Sequence, residues 1–447
     1  MNSCINSPVL SFTVTRLCNL NCVYCYFPNK GNKSITKEIV DFIIPEYFKF
    51  FTKGIDHVRF LLSGGEPLLE KDLVFYIMEQ GQDFAQRYGK SISYTLDSNG
   101  VLLTKQVVDK LLPYDVYVMS SIDGDAKIHD AQRPFLHSDE GSHKVVVENV
   151  AYALKVLGPE KVAVRFTVLP SGIHRLYETF RYFYDFGFKI IDFAPNYEIT
   201  WLDEQMRTFA SEVFKVASFV MKTGVNNKLI NNYMNWHLGN GNMVSAYGHP
   251  CGIIPTVDTN GDFYACHRFI DNHKFYLGDY TNFPGIIASI RNLSGKYIDY
   301  WKKYGVYGMA SCPANNVCRG CHPFHVSDFF KQFITIMMDQ VKNALFEEGK
   351  CIGIKKSMDY LVEDAEDNQF ILINAVNGEY ILLNETGSLL AQIIKRSESL
   401  TFDNLIDTFI PYLTQASSLD MGQLKEEVFS FLKMLQKERI VTLSVVE

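Results

Sequence analysis

No stretch of this 447-residue sequence is apolar for long enough to cross a bilayer. Met1 to Pro8 has no basic leader, and Val9 to Val14 is too short and too polar for the apolar core of a secretion signal. A surplus of basic charge is missing as well. Lys and Arg number 43 against 50 Asp and Glu, for a net charge of −7, which argues against a nucleic-acid or membrane-surface binder. There is no internal repeat and no low-complexity linker. What remains is a chain of ordinary apolar and charged content, long enough for two to four domains with a large core. It carries ten cysteines. Without a secretion signal these read as metal ligands in a reducing cytoplasm and not as disulfides. They fall in two groups, 18–25 and 251–351, with Cys4 left over as an unligated thiol.

The first group lies in Cys18-Asn19-Leu20-Asn21-Cys22-Val23-Tyr24-Cys25, directly after Val9 to Thr15, an alternating β-rich stretch that predicts a strand. The thiols therefore leave the C-terminal end of a strand, where α/β folds build their sites. Structural zinc wants four closed ligands, usually as two separated pairs. Three close thiolates instead suit three corners of a cubane iron–sulfur cluster, with one iron open to a further ligand. The plain alternative is three buried thiols or part of a zinc site.

CxxxCxxC with an aromatic before its last cysteine resembles the radical S-adenosylmethionine (SAM) superfamily. In that family SAM chelates the fourth iron, and an electron from the cluster cleaves it to a 5′-deoxyadenosyl radical that abstracts hydrogen from the substrate. The resemblance implies that Cys18, Cys22 and Cys25 hold the cluster and that Tyr24 lies at the cofactor.

The first half of the sequence alternates predicted strands and helices. Helices are expected over 36–51, 69–88, 142–157 and 176–186, and strands over 58–62, 91–96, 116–120, 162–168 and 190–193. Six strand–helix units without a seventh and eighth predict a partial (β/α)6 TIM-like barrel, which is also the radical SAM fold. Ser63-Gly64-Gly65-Glu66-Pro67 follows the second strand, as the family's GGEP does. Glycines let a backbone approach a ligand closely, and Gly64, Gly65 and Glu66 suit the SAM ammonium group. Asp97-Ser98-Asn99-Gly100 reads as a turn or as a ribose contact from Ser98 or Asn99. The stretch from Ser121-Ile122-Asp123-Gly124 through His129-Asp130 to Arg133 closely resembles one in anaerobic sulfatase maturases and peptide-modifying relatives. There the Ser and the Arg contact SAM, which carries over to Ser121 and Arg133, the guanidinium suiting a carboxylate. Asp123, His129 and Asp130 read as capping and turn residues. Residues 197–247 are helical and aromatic-rich, with Trp201, Tyr233 and Trp236 expected in a core.

In the second group, Cys251 precedes Val257 to Cys266, a predicted hairpin with a tight Asn260-Gly261 turn. Cys312, Cys318, Cys321 and Cys351 follow. Together they resemble the SPASM extension, which binds auxiliary [4Fe–4S] clusters; a zinc module is the alternative. By that analogy a first cluster takes Cys251, Cys266 and Cys321, and a second takes Cys312, Cys318 and Cys351. Met309 stands where a further cysteine is expected, leaving one or two auxiliary clusters. Where sulfatase maturases place a basic Asp, this chain has His267, which argues against that substrate although His can act as a base. An open iron in the first cluster could instead bind a substrate thiolate and lower its pKa.

The last hundred residues predict a β-hairpin, 370–374 and 379–383 about an Asn-Gly turn, then three helices of winged-helix character. Leu-Leu-Asn-Glu-Thr-Gly at 382–387 resembles the peptide chaperone of pyrroloquinoline quinone biosynthesis, whose relatives bind leader peptides of ribosomally made, modified peptides (RiPPs) by strand addition. Tyr380 to Leu383 and the helical Leu424 to Lys437 are the candidate elements. The alternative is a helical cap or a docking module for a protein partner.

The expectation is therefore an α/β enzyme in three parts: a radical SAM barrel over 1–240, a SPASM domain over 241–351 and a leader-peptide recognition domain over 352–447. It would use SAM, a SAM-binding [4Fe–4S] cluster and auxiliary clusters. Its partners would be a precursor peptide and a low-potential flavodoxin- or ferredoxin-type donor, with neither nucleic acid nor membrane. Thioether cross-linking from cysteine is the expected product; carbon–carbon cross-linking, formylglycine formation on a sulfatase, and a metal-binding adapter without turnover are the alternatives.

Overall fold

The computed structural model describes residues 8–237, 253–304 and 336–445, apart from 26, 28–29, 139, 197–198, 338, 345–351, 357–359, 365–369, 375–379, 384, 398, 413–419 and 438–440. Two compact units emerge, residues 1–212 with 248–334, and residues 213–247 with 335–447.

The first unit is built on β1 (Val9–Thr15), α1 (Lys37–Phe51), β2 (His57–Gly64), α2 (Lys71–Arg87), β3 (Ser91–Ser98), α3 (Lys105–Leu111), β4 (Val116–Ser121), α4 (Ala126–Gln132), α5 (His143–Leu157), β5 (Val162–Val168), α6 (Leu176–Phe186) and β6 (Ile191–Pro195). The six strands are parallel and lie side by side in chain order, as an open barrel requires. This is the α/β architecture of an open parallel barrel expected from the sequence. Two short helices, α3 and α4, were not anticipated. Each is N-capped by a side chain, Thr104 and Asp125, that accepts from the third residue on, so capping sets their starts more than periodicity does.

The register gives the sheet two unlike faces. Leu10 pairs with Phe60 and Phe60 with Tyr94, and Phe12, Leu62 and Leu96 share that face. Phe60 meets Phe12, Tyr47, Phe48 and Tyr94 at ring distances of 5.4–6.2 Å, which packs α1 against the sheet. The opposite face carries Ser11, Thr13, Ser63, Thr95 and Asp97. Ser11 and Thr13 are fully buried, and their hydroxyls, like Asp97 Oδ1, have no protein hydrogen-bond partner. Buried polar atoms of that kind call for water or ligand.

The sheet continues beyond β1 with β7 (Thr256–Val257), β8 (Asp262–Tyr264) and β9 (Tyr276–Asp279), followed by helix Phe283–Tyr304. The predicted hairpin is there, but its turn is wider than a two-residue Asn-Gly turn. Asp258 and Asp262 close it through Asp258 N–H to Asp262 C=O, and Gly261 N–H returns to Asp258 C=O. β7 runs parallel to β1, Ser11 opposite Thr256. Phe283 packs on Phe50, Phe51 and Phe263, fastening this segment to α1. Trp201 is a core residue, its indole N–H bonded to Asn196 C=O.

The second unit holds β10 (Ile352–Lys356) between β14 (Ser399–Thr401) and β15 (Val441–Val445), and a second antiparallel sheet of β11 (Tyr360–Asp364), β12 (Phe370–Asn374) and β13 (Tyr380–Leu383). The predicted hairpin is β12–β13, Ile371 opposite Leu382. The three helices are Glu385–Arg396, Phe402–Phe409 and Met421–Lys437. Four strands were missed because each is short or finds its partner far along the chain. The helix lying on the β11–β12–β13 sheet is Glu385–Arg396, whereas Met421–Lys437 lies on β15. The two elements expected to flank one groove thus belong to different sheets. Among the described residues no helix is long and apolar enough to cross a membrane.

Truncating Phe60 removes the ring on which four others converge. Phe60→Ala is expected to cost about 3–5 kcal/mol, read as a lowered denaturation midpoint in urea.

Candidate active site at the strand ends

Because the strands are parallel, the segments leaving β1, β2, β3 and β4 meet at one rim. Cys18, Cys22 and Cys25 lie on the first of these, unpaired, the first two half-buried and Cys25 exposed. The loop is pinned by backbone bonds from Asn21 N–H to Pro134 C=O (2.8 Å) and Val23 N–H to Gln132 C=O (3.0 Å). A third runs from Leu136 N–H to Asn19 C=O (3.0 Å).

The Gly64-Gly65-Glu66 turn is bonded to the same loop. Gly65 N–H donates to Thr15 C=O at 2.8 Å and Glu66 N–H to Leu17 C=O at 2.7 Å. A Cβ on Gly64 would stand 2.3 Å from Thr15 O, and one on Gly65 2.0 Å from Leu17 O; Gly64 also has φ +139°. The glycines are therefore required by close approach to the cysteine loop, in addition to any ligand. Glu66 is fully buried. Its Oε1 accepts from Leu68 N–H (3.1 Å) and Ser98 Oγ (2.9 Å), and its Oε2 from Asn99 N–H (2.7 Å). Burial pushes its carboxyl up to about 7. In this structure Glu66 braces the end of β2 to the end of β3. Asn99 in turn reaches Asn19 Oδ1 at 2.7 Å and Cys18 Sγ at 3.9 Å. The Ser98–Asn99 turn is thus bound into the site.

After β4, Ser121 sits at the rim opposite Arg165 in register. Asp123, read from the sequence as a turn residue, is instead a buried centre. Its carboxylate accepts from Arg133 Nε (2.9 Å) and Nη2 (3.2 Å), from Thr167 N–H (3.0 Å) and from the Tyr24 hydroxyl. Arg133 Nη1 lies 3.8 Å from Cys22 Sγ, and its guanidinium carbon is 5.3 Å from the centre of the Tyr24 ring. His129 accepts from Asp123 N–H at Nδ1 (3.3 Å) and meets Ser142 Oγ at 3.0 Å, so it fixes this turn from behind. Asp130 does cap, accepting from His143 N–H at 2.8 Å. The signal that could have found Asp123 was its distance of ten residues from Arg133, one turn and one short helix apart.

Cys266 is buried, its Sγ 3.6 Å from His267 Nδ1. Cys251, Cys312, Cys318, Cys321, Cys351 and Met309 lie outside the described residues, as do the side chains of Tyr233 and Trp236. Arg16, two residues before Cys18, pairs with Asp258 and with Asp271 (2.8 Å), so the 253–304 segment grips the root of the cysteine loop.

The profile of the Radical SAM superfamily matches residues 12–183. That stretch is a radical SAM domain. Among curated relatives, an uncharacterised protein of Methanocaldococcus jannaschii is 28% identical over 197 residues, 41% of this chain and 61% of its own length. The serine-type anaerobic sulfatase-maturating enzyme of Bacteroides thetaiotaomicron is 24% identical over 293 residues, 58% of this chain and 68% of that enzyme. The solved structure of native anSMEcpe with bound AdoMet and the Kp18Cys peptide shares the fold, with a TM-score of 0.60 at 16% identity over 76% of this chain and 97% of that one.

The radical SAM domain implies a [4Fe–4S] cluster and SAM, and the loop fits that demand. Three unpaired thiols sit on one strand-end loop, and two of the sulfurs already face N–H donors, Cys18 from Leu20 N–H and Asn99, Cys22 from Arg133. Burial pushes the Cys18 thiol up to about 11 and raises Cys22, so it is metal that would make them thiolates.

Gly65→Ala is expected to lower unfolding stability by roughly 1–3 kcal/mol, since backbone is what its Cβ would meet. His129 yields a pH signature. Burial first, then the nearby Arg133 charge, drop its pKa from 6.5 to about 4. The unfolded chain binds the extra proton in that window, so stability present above pH 6.5 is lost as pH falls toward 4, by about 3 kcal/mol at 1.36 kcal/mol per unit. The stability difference between wild type and His129→Gln should shrink over the same interval.

Proposed function

We propose that the chain is a radical SAM maturase of a ribosomally made precursor peptide. What carries the reading is the joining of four strand-end segments around Cys18, Cys22 and Cys25, with N–H donors aimed at two of the sulfurs. A [4Fe–4S] cluster held by Cys18, Cys22 and Cys25 would supply reductive cleavage of SAM and, through it, hydrogen-atom abstraction from the substrate. The chain's own residues position these groups. The Gly64–Gly65 turn and Glu66 shape the place for the SAM ammonium, Ser121 and Arg133 face its carboxylate, and Tyr24 closes the side toward Asp123. The polar inner face of the sheet, with the free hydroxyls of Ser11 and Thr13, suits a hydrogen-bonding substrate better than an apolar one.

The peptide class is supported by the fold shared with anSMEcpe, which is solved with a peptide bound. Auxiliary clusters on Cys251, Cys266 and Cys321, and on Cys312, Cys318 and Cys351, belong to the proposal, as does a low-potential protein donor. So does leader binding by the 352–447 region. β13 is an edge strand of its sheet among the described residues, with Glu385–Arg396 beside it, and strand addition there would tether the substrate. Thioether formation would join a substrate cysteine sulfur to a carbon with the loss of two hydrogens, one as an atom to the 5′-deoxyadenosyl carbon of cleaved SAM, the other as a proton to solvent and an electron to an auxiliary cluster. The second reading, formylglycine formation on a sulfatase, is favoured by the likeness to the B. thetaiotaomicron enzyme, and His267 speaks against it.

Anaerobically reconstituted protein with SAM and dithionite should release 5′-deoxyadenosine, and the Cys18/Cys22/Cys25→Ala variant should release none. No release from the wild type would overturn the reading. The triple variant should still hold about eight irons, two cubanes' worth; about four would mean that Met309 marks a lost cluster. A genomically adjacent Cys-containing peptide that loses two hydrogens by mass would support the thioether product, and conversion of a sulfatase peptide would replace it.

A further inference from the structure

The Asp123–Arg133 pair does more than the proposed contact with SAM requires. Arg133 is only 8% exposed and Asp123 2%. One edge of the guanidinium is taken by Asp123, through Nε at 2.9 Å and Nη2 at 3.2 Å, and one flat face lies against the Tyr24 ring. On its other side Nη1 meets Cys22 Sγ at 3.8 Å. Asp123 is fixed in turn, since Thr167 N–H and the Tyr24 hydroxyl also donate to it while its own N–H is held by His129. A fork whose Nε, Nη1 and Nη2 each have a partner cannot be replaced by a lysine point charge. Nothing in the SAM-contact reading needs Asp123 at all, yet it receives four donors on two oxygens.

We infer that Asp123 and Arg133 form a positioning pair that sets the reduction potential of the cluster on Cys22, with Arg133 as the N–H donor and fixed cation at the thiolate and Asp123 as its aiming counter-charge. This rests on the reading of Cys18, Cys22 and Cys25 as cluster ligands. Cluster potentials follow net charge and hydrogen bonds to sulfur. A cation beside the thiolate favours the reduced state, which holds one more negative charge, and an anion behind that cation offsets it. The two substitutions must therefore act with opposite sign. Arg133→Gln leaves Asp123 uncompensated and should move the midpoint potential negative. Asp123→Asn leaves Arg133 uncompensated and should move it positive. The double variant should fall between them. Loss of a purely structural brace would not yield opposite shifts.

The test is an EPR-monitored redox titration of the reconstituted full chain without SAM. The signal of interest is the one absent from the Cys18/Cys22/Cys25→Ala protein. Opposite shifts support the inference. Unmoved potentials with weakened SAM binding would make Arg133 a SAM contact alone, and shifts of the same sign would make the pair a fold brace; either overturns it. A wild type lacking that signal altogether removes the ligand assignment itself. A second measurement needs no neutral variant and covers the case in which these fail to fold. Wild-type protein grown on 15N-arginine should show 15N hyperfine coupling to the reduced cluster that Arg133→Lys protein lacks, and no coupling in the wild type overturns the inference.

Discussion

The rim of the sheet at β4 and β5 is held by one buried carboxylate. Asp123 accepts four hydrogen bonds from three other segments: the cysteine loop through Tyr24, the end of α4 through Arg133, and β5 through the Thr167 amide. An ion pair at this depth adds little net stability, because both charges lose their water. Removing one partner is costly, since the other is then left charged and unpaired. Its effect is on arrangement. It allows one geometry of Arg133 against Cys22, and the whole cysteine loop inherits that geometry through Gln132 and Pro134.

Around that centre the sheet divides its two tasks between its faces. The face against α1 and α2 is aromatic and aliphatic and carries the packing energy. The other face carries polar Ser11, Thr13, Ser63, Thr95 and Asp97 around Leu61. The usual pattern of buried parallel strands, apolar on both faces, is thus broken on the side where chemistry is proposed. The second cysteine-bearing segment joins at the β1 edge, by β7 pairing and by the Arg16 bridge to Asp258 and Asp271. A change in that segment is therefore transmitted to the residues just before Cys18.

Much of this was legible in the chain. Val9–Thr15, Val162–Val168 and Leu176–Phe186 have the bounds their patterns predict, because alternation and helical spacing act over a few neighbours. The CxxxCxxC and Gly64–Gly65 motifs were equally clear, although the glycines prove to serve a backbone contact with Thr15 and Leu17. The short helices α3 and α4 and the strands β10, β11, β14 and β15 were not legible. The helices α3 and α4 and the strand β14 are too brief for periodicity to speak, and β10 and β15 pair across some ninety residues.

The sequence by itself determined the alternating β/α order and the three thiols at a strand end, since each depends on residue type and local spacing. Only tertiary structure decided that Glu66 is a brace between β2 and β3, that Asp123 is a hub and not a turn residue, and that Arg133 points one nitrogen at Cys22. Those outcomes depend on which strand ends become neighbours. Hydrogen bonds between groups ten to a hundred residues apart exist only after the sheet has brought them together, and no local pattern encodes them.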